Sequence, residues 1–181
     1  MRLTKQMAEI LKQLTDSPLQ GERDPKLYRP NAGLALFSGK GLVFIGRRSG
    51  SSGPYQWQMP QGGIDKGENP RNAAFRELEE ETGIPPGHVE LLEEMEDWLY
   101  YDFPPDLKTK LAGPYSGQRQ KWFAFRFKGP ESCVQLDLHE PEFDAWKWTN
   151  LKETPDLIVP FKQPVYKHVA EHFLKWTKSD G

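Results

Sequence analysis

Residues 62–84 read GGIDKGENPRNAAFRELEEETGI, and both ends of a short helix are legible in them. Asn69 is a residue type that accepts hydrogen bonds from the free amides at a helix start, and Pro70 suits the first helical position, where an amide has no partner anyway. Gly83, followed by Ile84, Pro85 and Pro86, ends the helix at a residue free to turn left-handed. The stretch predicts a loop, a helix over 70–82 and a second loop. On that helix Glu77, Glu80 and Glu81 stand at i, i+3 and i+4, so three carboxylates share a face with neighbouring Cβ atoms about 5–6 Å apart. A solvated glutamate helix ordinarily follows each Glu with Lys or Arg four positions on, yet positions 81, 83, 84 and 85 are Glu, Gly, Ile and Pro. Bound cations supply the missing compensation best. Oxygen donors point to magnesium or manganese, since zinc favours His or Cys and the four histidines are scattered at 88, 139, 168 and 172.

Outward from this helix the chain alternates short apolar runs with turn residues. Gly33–Phe37 and Leu42–Arg47, separated by Ser38-Gly39-Lys40-Gly41, predict a hairpin. Further strands are expected over 89–101, 121–127 and 145–148, and a C-terminal helix over 164–177 with Val165, Val169, Phe173 and Trp176 on one stripe. Strands interrupted by few helices suggest a mixed sheet with helices on its faces. Near the start, Leu3, Met7, Ile10, Leu11 and Leu14 predict a helix over 2–15, and Asp16, Ser17, Pro18, Gly21 and Asp24-Pro25 a linker. Residues 1–27 are therefore expected to form a helical extension and linker, and 28–181 the main domain.

Composition excludes several classes. A chain of 181 residues has room for one domain and a short appendage. No apolar run approaches the roughly 18–20 residues that span a bilayer, so no membrane partner is expected. Lys5, Glu9 and Lys12 break up any apolar signal core, and Cys133 is the single cysteine, so a reducing, cytoplasmic location is expected. A net charge of −2 argues against a general basic surface for long nucleic acid. The charges are nevertheless segregated: eleven Asp and Glu without one Lys or Arg from Glu77 to Asp106, then six Lys and Arg without an acid from Leu107 to Lys128. Oligomeric state is not legible.

Gly62, five residues, Glu68, seven residues, then Arg76-Glu77-Leu78-Glu79-Glu80-Glu81-Thr82-Gly83-Ile84 fills all nine specified positions of the Nudix box. At ordinary residue frequencies a chance match in such a chain is on the order of one in ten million. The sequence thus resembles the Nudix hydrolases. The flanks Tyr28-Arg29-Pro30-Asn31, 57–64 (WQMPQGGI), Gly117-Gln118 with 120–123 (QKWF), and Pro141-Glu142-Phe143-Asp144 with Trp146 and Trp148 are similar to one subgroup. That subgroup comprises the bacterial RNA pyrophosphohydrolases and the related dinucleoside polyphosphate hydrolases of bacteria and plants. The sequence departs from the bacterial pattern in the extension before Tyr28 and in an enlarged loop over 49–56.

The resemblance implies an α/β/α sandwich on a mixed sheet. It implies a hydrolase that uses more than one magnesium or manganese ion to cleave dinucleoside polyphosphates such as diadenosine tetraphosphate, to remove pyrophosphate from 5′-triphosphorylated RNA, or both. A nucleotide-pool or nucleotide-sugar pyrophosphatase is the alternative, and a Nudix-like binding module without catalysis is a third reading. By the same resemblance Glu77, Glu80 and Glu81 hold metal, helped by a backbone carbonyl near Gln61 or Gly62 and by Glu142 from a distant loop. The base is open among Glu77, Glu81 and Glu142. Arg76 and Glu68 orient the carboxylates. Arg29, Tyr101, Lys121 and Lys162 are expected on the phosphates, and Arg48 and Phe161 on either side of a nucleobase, with a core role the alternative for Phe161.

Overall fold

Residues 32–37 read Ala-Gly-Leu-Ala-Leu-Phe, a run without a polar member that suits a strand covered on both faces. The structure, a computed structural model, describes residues 4–6, 18–19, 23–107 and 113–179. It places this run in β1 (Tyr28–Phe37), which lies parallel to β7 (Gly117–Phe127) over its full length, from Tyr28 opposite Gly117 to Phe37 opposite Arg126. Around this pair the other strands are antiparallel. β2 (Val43–Arg48) and β4 (Gln61–Gly63) pair with β1, while β5 (Val89–Glu94) and β6 (Leu99–Asp102) pair with β7. β3 (Trp57–Gln58) and β8 (Phe143–Thr149) pair with β2, completing a mixed eight-stranded sheet among the described residues.

Successive side chains of a strand point to opposite faces, and here each face has its own core. Ala32, Leu34 and Leu36 of β1 with Phe123, Phe125 and Phe127 of β7 pack under Ala73, Ala74 and Leu78 of helix α1 (Pro70–Thr82). Ala35 and Phe37 with Trp122 and Ala124 pack under Val165, Tyr166, Val169 and Phe173, from helix α3 (Gln163–His172) and its end. A short helix α2 (Thr154–Leu157) precedes α3. The chain is an α/β/α sandwich, as expected. No helix among the described residues is long and apolar enough to cross a membrane.

Helix α1 has the expected bounds: the Asn69 side chain accepts from the Arg71 amide at 2.9 Å, and Gly83 caps the other end at φ 75°. Two expected elements differ. The strand over 89–101 is two, because residues 95–98 leave the ladder between β5 and β6. The C-terminal helix ends at His172, and a 3-10 turn (Leu174–Thr177) brings Trp176 back against the core. Of the expected opening helix, all but residues 4–6 lies outside the described residues. From the linker, the Pro18 carbonyl accepts from the Tyr100 amide at 2.6 Å, and Arg23 pairs with Asp102 at 3.1 Å, so Pro18 and Arg23 lie beside β6.

Gly33 is where the two central strands press closest to a bulky neighbour. A Cβ there would overlap the indole of Trp122, itself fully buried beside Tyr166. Gly33→Ala should therefore lose about 1–3 kcal/mol of stability, the scale of an overpacked core. Gly39→Ala, where a Cβ meets nothing within 4 Å, should be nearly neutral. Urea denaturation of the two variants checks this, and equal midpoints would refute the account.

Candidate active site

The site begins where β4 passes over α1. Glu77 and Glu81 are the two acidic residues that the helix buries, at 9% and 8% exposure, because they lie one turn apart beneath Gln61 and Gly62. The Gln61 amide donates to Glu81 Oε2 at 3.1 Å. A Cβ at Gly62 would collide with the Glu77 carboxylate, so glycine lets the strand lie directly over it. Arg76 then ties the cluster together. Its Nε and Nη2 hold both oxygens of Glu68, at 2.9 and 2.8 Å; Nη1 reaches Glu77 at 2.8 Å and Glu80 at 3.2 Å; Nη2 also reaches the Gly63 carbonyl at 2.9 Å.

Charge in this cluster is unevenly neutralised. The bidentate Arg76 contact holds the Glu68 carboxyl at about 2, well below the usual range. Burial pushes Glu77 up despite Arg76. Glu81 is driven up further, first by burial and then by the negative charges of Glu77 and Glu142. Glu142 is an exposed residue whose carbonyl accepts from the Ser49 amide at 2.9 Å, and its carboxylate acts on Glu81 and on Lys162. The expected acidic set is thus gathered at one end of the sheet.

An all-oxygen donor set with excess negative charge suits a hard divalent cation. Among the described residues no three acidic or histidine side chains already surround one point. Arg76 draws Glu77 and Glu80 to itself, and the Gln61 amide draws Glu81. The chemistry of the donors fits a metal, with the guanidinium supplying part of the positive charge that a cation would bring.

Beside the cluster, on the α3 face, lies a cavity of about 580 Å³ walled by Arg29, Arg48, Tyr101, Val159, Phe161 and Lys162, among others. Five of the six expected substrate contacts therefore converge. Lys162 donates to Gln61 Oε1 at 3.3 Å and lies 5.5 Å from the Tyr101 ring centroid. Burial and the Arg48 charge pull its ammonium down to about 8, while Glu81 and Glu142 act in the opposite sense. Phe161 packs 5.6 Å from Tyr101 and is only half-buried, so one side of it joins the core and the other lines the cavity. Tyr101 donates its hydroxyl to Gln118, and burial holds that phenol far above its ordinary value.

Lys121 is the expected contact that the structure places elsewhere. It donates to the Glu96 carbonyl at 2.7 Å and faces Trp98. The reason is strand parity: Gln118, Gln120 and Trp122 point towards the α3 face, so Lys121 points away from it. The residues given no role from sequence are those on the correct parity. Gln120 Nε2 donates to Asn31 at 3.0 Å and to Gln61 at 2.8 Å, and its Oε1 accepts from Trp122, which fixes the Gln61 side chain that Lys162 also holds. Alternation along Gln118-Arg119-Gln120-Lys121-Trp122 was the signal that could have found them.

Comparison with known proteins agrees with this geometry. Residues 27–169 match the model of the NUDIX domain. The RNA pyrophosphohydrolase of Acidiphilium cryptum is 50% identical over 157 residues, covering 85% of this chain and 94% of that protein. That of Caulobacter vibrioides is 49% identical over 163 residues, covering 88% and 94%. Among solved structures, a Caenorhabditis elegans Ap4A hydrolase binary complex superposes with a TM-score of 0.56 at 21% identity, covering 80% of this chain and 98% of that one. The E. coli dihydroneopterin triphosphate pyrophosphohydrolase superposes at 0.59 and 18%, covering 80% and 99%. At such identities the structural likeness speaks to fold alone.

Two outcomes follow. Gly62→Ala should cut turnover a hundredfold or more, the scale of losing metal activation. Because the colliding atoms are the end of a flexible side chain, its melting temperature should stay within a few degrees of the parent; an active variant would remove the Glu77 position from the chemistry. For Glu68, a folded-state pKa below the unfolded one adds stability that is present above pH 4.5 and is lost as pH falls towards 2. The urea-midpoint gap between the parent and Glu68→Gln should therefore narrow from pH 6 to pH 3. A gap independent of pH would disprove the Arg76 clamp as its source.

Proposed function

This chain belongs to the Nudix family, and from that footing we propose that it hydrolyses a phosphoanhydride bond in a nucleotide-capped polyphosphate. The substrates in view are the 5′-triphosphorylated end of RNA and dinucleoside polyphosphates. The names borne by relatives about half identical over most of this chain support that choice. The observation that carries the reading is the junction of a buried carboxylate cluster with a nucleotide-sized cavity walled by Arg29, Arg48, Lys162 and Phe161.

Glu77, Glu80 and Glu81, with Glu142, would hold magnesium or manganese, in more than one ion. The metal supplies charge neutralisation for the phosphate oxygens and an acidified water. The protein's own groups do the rest. Arg29, Tyr101 and Lys162 face the polyphosphate, and with a pKa of about 8 Lys162 is mostly protonated at neutral pH. Arg48 and Phe161 offer a guanidinium and a ring face to an unpaired base, a contact that every base can make. Arg76 keeps Glu77 and Glu80 oriented while Glu68 saturates its other side. The water's proton goes to the carboxylate cluster of Glu77, Glu81 and Glu142, a coupled set whose titration belongs to the group.

The test is product analysis on chelator-treated protein, refilled with magnesium, manganese or zinc and offered triphosphorylated RNA, diadenosine tetraphosphate, nucleoside triphosphates and nucleotide sugars. Magnesium or manganese should restore pyrophosphate release from RNA, cleavage of the dinucleoside, or both, and zinc should not. Preference for free triphosphates or nucleotide sugars would assign a different substrate class. Activity surviving chelation would reject the metal.

A further inference from the structure

A second cleft of about 460 Å³ opens on the α1 face of the sheet, walled by Arg29, Ile64, Lys66, Trp98, Tyr115 and Arg119, among others. It is the counterpart of the first cavity. Gln118 lines one and Arg119 the other, as strand alternation requires, and Arg29 and Tyr115 border both. Between them runs Gln61-Gly62-Gly63, the strand over the carboxylates. Its Gly63 leaves room for Arg29, whose Nη2 would lie 3.2 Å from a Cβ placed there.

Arg119 is held in an unusual way. Its guanidinium carbon lies 4.4 Å from the Trp98 ring centroid, and its buried Nε has no hydrogen-bond partner. Among the described residues no carboxylate pairs with it. An arginine seated on an aromatic face keeps its charge and its planar fork of donors for an outside anion. Lys66 and Arg29 add positive charge to the same walls. The acids that face the cleft do not cancel it: Glu68 is taken up by Arg76, and Asp65 points to solvent at 80% exposure. A cationic cleft with an indole in its wall matches a phosphate joined to an unpaired base.

We propose that this cleft binds a second nucleotide unit of the substrate, base and phosphate together, on the opposite side of the sheet from the nucleoside held by Phe161 and Arg48. Arg119 contacts the phosphate, and the Trp98–Arg119 stack supports the base. The proposal rests on the pyrophosphohydrolase reading for its substrate. The unit has two possible sources with the same chemistry: the downstream nucleotides of an RNA, or the far nucleoside of a dinucleoside polyphosphate.

The experiment compares the parent, Arg119→Ala and Arg119→Lys on a 5′-triphosphorylated RNA tetramer, diadenosine tetraphosphate and ATP. Arg119→Ala should raise KM about tenfold for the tetramer, the dinucleoside or both, with kcat within about twofold, and leave ATP unchanged. Arg119→Lys should recover part of the loss. Which substrate responds identifies the source of the unit. Equal losses on ATP, or no loss on any substrate, would overturn the cleft. Fluorescence anisotropy with a labelled 5′-monophosphorylated tetramer and with diadenosine tetraphosphate gives a reading that needs no turnover. If the parent cleaves nothing, the proposed function fails, and the cleft still stands or falls on whether Arg119→Ala weakens that binding about tenfold.

Discussion

The parallel pairing of β1 with β7 is the constraint on which the rest of the structure depends. Ten consecutive residues of β1 are matched in register with β7, and both strands are covered on both faces. A one-residue slip would exchange every side chain between faces. It would carry Leu34 and Leu36 away from α1 and set Gln120 on the wrong side of Gln61. The same register sends Gln118 to one cavity and Arg119 to the other. Packing and chemistry are therefore specified by one ladder, and burial of the apolar faces is what holds the polar ones in place.

Within that frame the acidic cluster survives because its repulsion is dealt with residue by residue. Glu77 and Glu81 are buried and pushed towards the neutral form, whereas Glu80 is more exposed and shares Arg76. Arg76 makes its strongest pairing with Glu68, eight positions earlier, which closes the loop between β4 and α1. The guanidinium anchors the loop and steers two carboxylates at once. Lysine in its place would lack the planar fork that makes both contacts. Glu68 and Arg76 are for this reason part of the architecture of the site.

How much was readable beforehand depended on how local the determining physics is. Helix α1 was legible to the residue because Asn69, Pro70 and Gly83 fix its ends through contacts within one turn. Lys121 was expected beside Gln118 and Gln120, but the alternation of β7, readable only once the strand is known to extend back from Lys121 to Gly117, puts it on the opposite face. The single strand expected over 89–101 became two because Glu94 pairs with Phe123 and Leu99 with Gln120, so residues 95–98 stand opposite only Lys121 and Trp122 and bulge out of the ladder. The cavity walls were legible only through resemblance. Arg29, Arg48, Tyr101 and Lys162 come from four separate segments, and no spacing connects them.

The segregation of charge along the sequence has a comparably divided meaning in space. Of the acidic run, Glu77 and Glu81 enter the cluster, while Glu93 is engaged by His172 and Lys175 and Glu94 by Arg71, which fasten β5 to the two helices. Of the basic run, Arg126 is buried against the Ser38 and Trp176 carbonyls, and Lys128 pairs with Glu90. Only Arg119 lacks a hydrogen-bonding or acidic partner among the described members of that run, and it is the one at a cleft wall. Members of both runs thus tie strands to helices and to one another. Within the basic run Arg119 is set apart by what its charge fails to meet inside the protein, where an indole face is its neighbour.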